Sequence, residues 1–322
     1  MTFTLWRKLL RDIRVPLAVV ALLLLGFEII WVKVAQRLTS EIVPMLSLVS
    51  TMAGRASDWL LDLFFRGPGK LIQTFLGGEH IQFGNPQELL AIGLMHPLVQ
   101  AIVCIWAVGR AGGAIAGEID RGTMELLLAQ PIRRSRVIAA HLLVDLTALP
   151  LLCLALWAGS AAGAELFSPF QVEPGIYYEL RLPPPNPMPV MAVHSNILGP
   201  ALLNVGALLF AVSGYTMWIS ARGSSRNRAI GIAILVTLVQ FIVNVVGQLW
   251  DGAEFLRPFT VFYYYQPQRI ALENVWTVDP GLIWARRPLI ELNVVAVLIG
   301  VGAVGYLLAW RHFRKRDIPA PL

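Results

Sequence analysis

The sequence predicts an all-α integral membrane protein with six transmembrane helices. Of its 322 residues, 56% are hydrophobic and only 14% are charged, and the mean hydropathy is +0.64. Soluble domains carry about 25% charged residues, so this composition argues against a soluble protein. The formal net charge of +6 would suit a nucleic-acid-binding protein if the chain were soluble. In a membrane protein, basic loops on one face of the bilayer explain such a charge, and we expect no nucleic-acid partner.

Six windows are long and apolar enough to cross the lipid bilayer, which requires about 20 mostly apolar residues. They contain no Lys or Arg, and their only carboxylates are Glu28, Asp145 and Glu291. An even number of crossings places both termini on the same side of the membrane. The predicted spans are residues 15–31, 89–108, 137–164, 197–221, 229–250 and 289–310.

The distribution of basic residues predicts which side holds the termini. The connecting segments on the side of the termini contain 16 Lys or Arg in 61 residues, whereas those on the other side contain ten in 127 residues. Loops rich in Lys and Arg stay in the cytoplasm. We therefore expect one integral membrane domain over residues 1–322, in a bacterial plasma (inner) membrane, with both termini cytoplasmic.

Two amphipathic helices are predicted outside the spans. Residues 1–14 alternate apolar and basic side chains at helical spacing, which favours an interfacial helix over a simple basic tail. Residues 42–65 are apolar but carry charges, each costing about 2.5 to 3.5 kcal/mol at the bilayer centre. We interpret 42–65 as an amphipathic external helix that ends before residues 67–69 (Gly-Pro-Gly). A seventh crossing is the alternative, and it would move one terminus across the membrane.

The segment between spans two and three contains the strongest local pattern. Gly122 followed by Thr123 is typical of a break and a helix N-cap, and Glu125 suits the first turn of the new helix. Pro131 prevents the helix from extending beyond about Gln130. The pattern predicts a short amphipathic helix with one apolar face, formed by Met124, Leu127 and Leu128.

This segment resembles the membrane subunits of type-2 ATP-binding-cassette (ABC) exporters, in the branch of single-chain six-span permeases. Members of that family carry a pattern close to G-E-x-x-x-G-T-x-E-x-L-L-x-x-P, followed by basic residues. The order of the six spans, the N-terminal helix and the aromatic stretch before the last span also agree. The matching residues are Gly117, Glu118, Gly122, Thr123, Glu125, Leu127, Leu128 and Pro131, followed by Arg133, Arg134 and Arg136. We call residues 117–131 the coupling segment.

The resemblance implies that the coupling segment is a short cytoplasmic helix that docks in a cleft of a separate ATPase subunit. It further implies two ATPase copies, which bind ATP and Mg, and a second permease chain, in a homodimer or a heterodimer. The chain has no GxxxxGK[ST] motif, so we expect no catalytic residues and no cofactor of its own. The implied ATPase-coupling residues are Gly117, Glu118, Arg121, Gly122, Thr123, Glu125, Leu127, Leu128 and Pro131.

Polar residues inside the spans are the other candidate functional groups. His141 and Asp145 are four residues apart in span three, so they share a helix face and are able to pair. We interpret them as a structural pair, with a proton or cation step as the alternative. Glu28 and Glu291 are expected to be solvated at the external ends of their spans. His96 before Pro97 predicts a kink in span two.

Other polar and sulfur-containing residues favour structural roles. Asn204, Gln240, Asn244 and Gln248 are expected to form hydrogen bonds between helices rather than to line a pore. The two cysteines, Cys104 and Cys153, lie in apolar runs, so neither a disulfide nor a metal site is predicted.

Two further functional classes stay open at this stage. An ion-coupled secondary transporter would use His141 and Asp145 without nucleotide, and inverted repeats would favour it, but the two halves show no convincing repeat. A membrane-embedded enzyme would need a cluster of catalytic groups, and the chain has neither HExxH nor GxSxG. No residue identifies the transported substrate.

Overall fold

The computed structural model confirms an all-α membrane protein. In the part of the chain that it describes, six helical segments are long and apolar enough to cross a membrane, as predicted. The described residues are 2–53, 86–130, 132–172, 174–179, 183–184, 186–188, 190–280 and 291–316.

The helices follow the predicted order along the chain. The first half comprises α1 (Thr2–Ala53), α2 (Pro86–Met95), α3 (Pro97–Gly112), α4 (Ala116–Asp120), α5 (Thr123–Leu128) and α6 (Arg134–Phe167). The second half comprises α7 (Pro174–Glu179), α8 (Gly199–Arg222), α9 (Arg226–Leu249), α10 (Pro267–Glu273) and α11 (Val294–Lys315). The spans are α1, α2 with α3, α6, α8, α9 and α11.

Short strands and 3-10 turns occur only between the helices of the described ranges. Antiparallel ladders join β1 (Phe170–Gln171) to β2 (Val190–Met191) and β3 (Thr277–Val278) to β4 (Leu292–Asn293). The 3-10 turns are Ser195–Leu198, directly before α8, and Asp251–Phe259, after α9.

Helix α1 is longer than predicted, because it is one continuous helix of 52 residues. The predicted boundary between an interfacial helix (1–14) and span one (15–31) is absent, and Pro16 lies inside the helix. A rise of 1.5 Å per residue gives a length of about 78 Å, against a hydrocarbon core of about 30 Å. The prediction that a separate external helix begins at residue 42 is also wrong, since α1 continues to Ala53. The remainder of that prediction lies outside the described residues.

The last span begins and ends five residues later than the predicted 289–310. Residues 292–293 belong to strand β4, which pairs with β3 and so delays the start of the helix. The Asn293 side chain then caps α11 by accepting a hydrogen bond from the Ala296 N–H at 3.0 Å. Asparagine is among the favoured N-cap residues. At the other end α11 continues through its basic residues to Lys315, because Phe313 is buried against the bundle.

Two helix pairs pack at unusually short distance. Helix α1 runs along α6 at Gly159 and Gly163, and α8 runs along α11 at Gly214. A Cβ atom at Gly159 would lie 2.5 Å from the Leu25 carbonyl oxygen, and one at Gly214 would overlap the backbone of Gly302. Small residues let helix backbones approach each other in a bilayer, where van der Waals packing and hydrogen bonds hold helices together.

The predicted kink in span two is confirmed at His96, which separates α2 from α3. The imidazole Nδ1 of His96 accepts a hydrogen bond from the Leu98 N–H at 3.2 Å. The carbonyl groups freed by the break find side-chain donors: Gln100 donates to Met95 O (2.6 Å) and Tyr265 donates to Leu94 O (2.5 Å). Neighbouring side chains therefore satisfy the broken helix, as a bilayer environment requires.

One end of the bundle brings both ends of the described chain together. Leu5, Met124 and Phe313 belong to one buried apolar cluster at this end. We call it the proximal end, and we call the opposite end the distal end. The aromatic loop between spans five and six packs against the distal end, where Phe262 and Tyr265 are buried. Burial raises the pKa of Tyr265 well above its ordinary value, so the phenol stays protonated and donates to Leu94 O.

Candidate functional site

The coupling segment folds into two short helices joined by a glycine turn. Helix α4 ends at Asp120, and α5 begins at Thr123. Gly122 lies between them with a φ of 68°, the left-handed conformation that glycine adopts without steric cost. The predicted break at Gly122 is therefore confirmed. The predicted N-cap is wrong, because Gly122 occupies that position and Thr123 is the first helical residue.

Side chains from both helices close the glycine turn. The Thr123 hydroxyl donates to the Glu118 carboxylate and lies 3.2 Å from the Glu118 carbonyl oxygen. Arg121 donates to the other carboxylate oxygen of Glu118 at 2.5 Å. Two motif residues, Glu118 and Thr123, thus stabilise the turn together with Arg121, a role that their spacing alone does not reveal.

The apolar face predicted for α5 packs onto the permease bundle. Met124 is only 1% exposed, and Leu127 and Leu128 are half-buried against the same proximal cluster. The leucine on the opposite face, Leu126, is 72% exposed. Sequence reasoning missed Leu126, because helical spacing finds an apolar face without showing which surface covers it. Leu126 is therefore the apolar side chain of α5 that the bundle leaves exposed.

Span four holds the residues directly before the coupling segment through Ser220. The Ser220 hydroxyl accepts hydrogen bonds from the N–H groups of Ile115 and Ala116, each at 3.1 Å. It also donates to the Gly112 carbonyl at 2.8 Å. One buried side chain of α8 thus satisfies the backbone where α3 ends and α4 begins. Such groups cost about 1 to 3 kcal/mol when they are buried without a partner.

Span five holds the same segment at the first residue of α9. The Asp120 carboxylate accepts a hydrogen bond from the Arg226 N–H at 3.2 Å. The Arg226 side chain lies across Gly117, where an added Cβ would be 3.5 Å from Arg226 Cδ. A carboxylate is favourably placed at a helix N-terminus, because free N–H groups carry a partial positive charge there. Spans two, four and five therefore all contact the segment directly.

The outer surface of the coupling segment is small and mixed in character. Glu125 is half-buried near the start of α5, whereas Pro131 lies outside the described residues. The exposed residues are Asp120, Arg121, Gly122, Leu126, Ala129 and Gln130. A central leucine surrounded by charged and polar groups is typical of a docking surface with a polar rim.

A buried charge cluster lies beside the coupling segment. The Asp145 carboxylate of α6 binds the Arg110 guanidinium of α3 and accepts a hydrogen bond from the Tyr306 hydroxyl of α11. Arg110 also donates to Tyr306 (3.0 Å) and to the His141 carbonyl (3.4 Å). The predicted pairing of His141 with Asp145 is wrong, because Asp145 pairs with Arg110. Sequence analysis missed Arg110, because it ended span two at residue 108 and placed Arg110 in a loop.

Glu28 also departs from expectation, since it is fully buried rather than solvated. It lies against Gly159 of α6, and the adjacent Ser160 hydroxyl donates to its carboxylate at 2.7 Å. The close contact of α1 with α6 at Gly159 removes water from this position. Glu291 lies exposed before β4, as predicted, and accepts a hydrogen bond from Thr277 at 3.0 Å.

Three of the four amides expected to bond between helices anchor the distal loop instead. Asn204 donates to Tyr264 O (2.9 Å) and accepts from the Gln266 N–H (2.8 Å). Gln240 accepts from the Val261 N–H at 3.1 Å, and Asn244 accepts from Arg257 at 3.3 Å. These three amides are hydrogen-bonded, as predicted, but their partners lie in the loop and not on another span, so the predicted bonding between helices is wrong for them. The fourth, Gln248, lines a small polar pocket beside Asn244 and Gln266.

Comparison with known proteins covers nearly the whole chain. A family model described as ABC-2 family transporter protein matches residues 6–318. The matched range includes all six spans, the coupling segment and the charge cluster. A comparison with curated proteins gives no match.

Proposed function

Because this chain belongs to the ABC-2 family of transporter proteins, we propose that it is the permease subunit of an ATP-driven exporter and that a separate ATPase docks on its coupling segment. The membership itself makes the chain a membrane permease of an ABC transporter. The direction of transport and the docking surface are the parts that we propose here.

The attachment of the coupling segment is the observation that carries this proposal. Ser220 fixes the residues directly before the segment to span four, and the Arg226 N–H fixes Asp120 of the segment to span five. Span two leads into the segment through those same residues. Leu126 nevertheless points away from the bundle and is 72% exposed. A rigid surface element that contacts several spans is suited to convert the movement of a docked subunit into movement of those spans.

The charge cluster extends this connection to spans three and six. Arg110 lies six residues before α4, and its ion pair with Asp145 and hydrogen bond with Tyr306 join α3 to α6 and α11. In the proposed mechanism, closure of the ATPases shifts the coupling segment, and the hydrogen-bonded links carry the displacement to the spans. The side chains of the permease hold the coupling segment and transmit its displacement, while the partner ATPase binds ATP and Mg.

We further propose that the working complex contains two copies of this chain and two ATPase subunits. ABC ATPases close on each other around a twofold axis, so each needs a permease surface related by that symmetry. A homodimer supplies two identical coupling segments, whereas a heterodimer with a sister permease would supply two similar ones. Our proposed location is the bacterial plasma membrane, with the proximal end in the cytoplasm, as the distribution of Lys and Arg supports.

Ion-coupled transport through His141 and Asp145 is the less favoured alternative. It would need a carboxylate that is free to bind and release an ion. The Asp145 carboxylate instead forms an ion pair with the Arg110 guanidinium, which supplies the positive charge that a bound cation would provide. Transport by the purified chain without an ATPase would support that alternative.

The docking proposal is tested by substituting the exposed leucine. Leu126→Asp places a charge at the centre of the proposed docking surface, so we expect a candidate ATPase subunit to co-purify at least about tenfold less well. Co-expression followed by affinity purification and quantitative immunoblotting measures this. Leu166→Asp is the matched control, because Leu166 is similarly exposed (67%) at the end of α6 that lies away from α5. Equal ATPase recovery with both variants would contradict the proposal.

A further inference from the structure

Two cavities open on the proximal surface beside spans four, five and six. The first, of about 390 Å³, lies between α8 and α11, and the second, of about 470 Å³, lies between α8 and α9. Both are bounded by Trp218, so they flank one aromatic side chain. Their volumes are within the range of small-molecule sites, about 300 to 1,000 Å³. Neither cavity touches the coupling segment.

The first cavity is strongly basic. Arg311 and Lys315 line it from successive turns of α11, and both side chains are exposed. Arg222 lines the second cavity, and its guanidinium lies 5.3 Å from the ring centre of Trp218, the side chain that both cavities share. Among the residues that the structure describes, none of these three cations forms an ion pair with a carboxylate. Such a cluster attracts an anion, and phosphate is a suitable one.

Hydrogen bonds from the Arg316 side chain to backbone carbonyl groups hold the walls of the basic cavity in place. The Arg316 guanidinium donates to the carbonyl groups of Ala221 (2.9 Å) and Gly223 (2.8 Å). These bonds join Arg316, the residue directly after α11, to the end of α8. The cavity between the two helices is therefore part of the fold and does not depend on mobile surface side chains alone.

The second cavity continues into an apolar groove along span five. Ile232 and Val236 line it, and they are 45% and 38% exposed. Ile232 and Val236 lie four and eight residues after Arg228, which lines the basic end of the same groove. A rise of 1.5 Å per residue places them about 6 and 12 Å deeper in the span than Arg228. From the surface inward, the two cavities present charged groups, then an indole ring, then aliphatic side chains. This order matches the headgroup, glycerol and acyl-chain layers of a phospholipid.

From this arrangement we infer that the two cavities form a binding site for an acidic phospholipid of the leaflet at the proximal end. The phosphate binds among Arg222, Arg311 and Lys315, the glycerol region lies against Trp218, and one acyl chain occupies the groove at Ile232 and Val236. Basic pockets between spans on the cytoplasmic side are known to bind anionic headgroups. The apolar groove favours a lipid over a docked protein or a free anion. This inference goes beyond the proposed function, since it concerns a surface separate from the coupling segment.

The test uses the full-length chain in detergent with added lipid. Native mass spectrometry measures how many molecules of phosphatidylglycerol or of phosphatidylcholine with the same acyl chains remain bound. We expect tight, saturable binding of phosphatidylglycerol only. We expect no displacement of it by inorganic phosphate or glycerol phosphate at equal concentration, because these probes lack the acyl chain.

A charge-neutral variant of the cavity and a matched control give the contrast. Arg311→Gln with Lys315→Gln removes two of the proposed phosphate ligands, so we expect phosphatidylglycerol affinity to fall at least about tenfold. Arg7→Gln with Lys8→Gln removes the same charge from exposed positions of α1 and is expected to retain wild-type affinity. All four side chains are exposed, so both variants should fold, which gel filtration and thermal melting verify.

Four results would overturn the inference. The first is the same loss of phosphatidylglycerol affinity in the cavity variant and in the control variant, and the second is binding of phosphatidylcholine as tight as that of phosphatidylglycerol. The third is displacement of phosphatidylglycerol by free phosphate at equal concentration. The fourth is a cavity variant that binds the lipid as the unsubstituted chain does but no longer co-purifies with the ATPase. The last result would assign the basic surface to the ATPase. Loss of ATPase binding in Leu126→Asp with intact lipid binding would leave both proposals standing, so the two fail independently.

Discussion

At the scale of single residues, the cluster of Arg110, Asp145 and Tyr306 is expected to be the most sensitive to substitution. The side chains of Arg110 and Asp145 are 5% and 0% exposed. Removing one member of a buried ion pair leaves an uncompensated charge and typically costs about 3 to 5 kcal/mol. Replacing both members with apolar groups costs much less, because no charge then remains buried.

We therefore expect Asp145→Asn to destabilise the chain by about 3 to 5 kcal/mol. Tyr306→Phe, which removes a single hydroxyl, should cost about 1.5 to 3 kcal/mol, since that hydroxyl donates to a charged group. Unfolding in mixed micelles with increasing denaturing detergent measures both. The double variant Arg110→Met with Asp145→Leu should be more stable than Asp145→Asn alone. A single variant as stable as the unsubstituted chain would show that the ion pair does not hold these spans together.

The sequence identified many of these residues but not their partners. Asp145 was a candidate because charges are rare in spans, yet Arg110 lay just beyond the predicted end of span two. Glu28 was assigned to the surface because pattern analysis does not show that Gly159 brings α6 against it. Leu126 was missed for a similar reason. The hydrogen-bond partners of a side chain and its exposed fraction depend on contacts between segments that are distant in the chain. A single sequence does not show those contacts.

At the scale of helices, the contact between α8 and α11 brings two backbones together at glycine residues. A Cβ atom at Gly305 would overlap the backbone of Gly214. Backbone atoms of a packed helix move only if the whole helix moves. The glycines at this contact are therefore required for packing, whereas Gly300 on the same helix has no atom within 4 Å of an added Cβ.

We expect Gly305→Ala to lower the melting temperature of the purified chain, because it forces α8 and α11 apart at a cost of about 1 to 3 kcal/mol. Gly300→Ala is the matched control in the same helix. It should leave the melting temperature unchanged or raise it slightly, because alanine favours helix by about 0.5 to 1 kcal/mol over glycine. Equal melting temperatures for the two variants would contradict the proposed packing role. Thermal melting followed by tryptophan fluorescence distinguishes these outcomes.

Hydropathy and charge predicted the elements well and their ends less well. All six spans and the break at His96 follow from apolar length and from Pro97. The last span starts later than predicted, because Leu292 and Asn293 belong to strand β4. The boundary predicted near residue 14 is absent, because a helix may pass from an amphipathic to an apolar stretch without a break in its backbone.

At the scale of the whole molecule, the coupling segment is the element that we propose as the link between the spans and a partner ATPase. Its inner face packs with Met124 into the proximal cluster, Asp120 bonds to Arg226, and the residues directly before it bond to Ser220. Its outer face holds Leu126, which is 72% exposed. The segment therefore divides into residues that build the turn, residues that anchor it, and an exposed surface. This division was not predictable from the motif, because Asp120, Met124 and Leu126 occupy positions that the motif leaves unspecified.

The most direct test of this account is the labelling of Leu126→Cys by a membrane-impermeant maleimide in oriented vesicles. Cys104 is buried and Cys153 is partly buried, so the unsubstituted chain should label weakly. We predict rapid labelling in inside-out vesicles, none in right-side-out vesicles, and protection of position 126 when the ATPase subunit is added. Labelling from the outside, or labelling that the bound ATPase does not slow, would contradict the claim that this segment is a cytoplasmic docking surface.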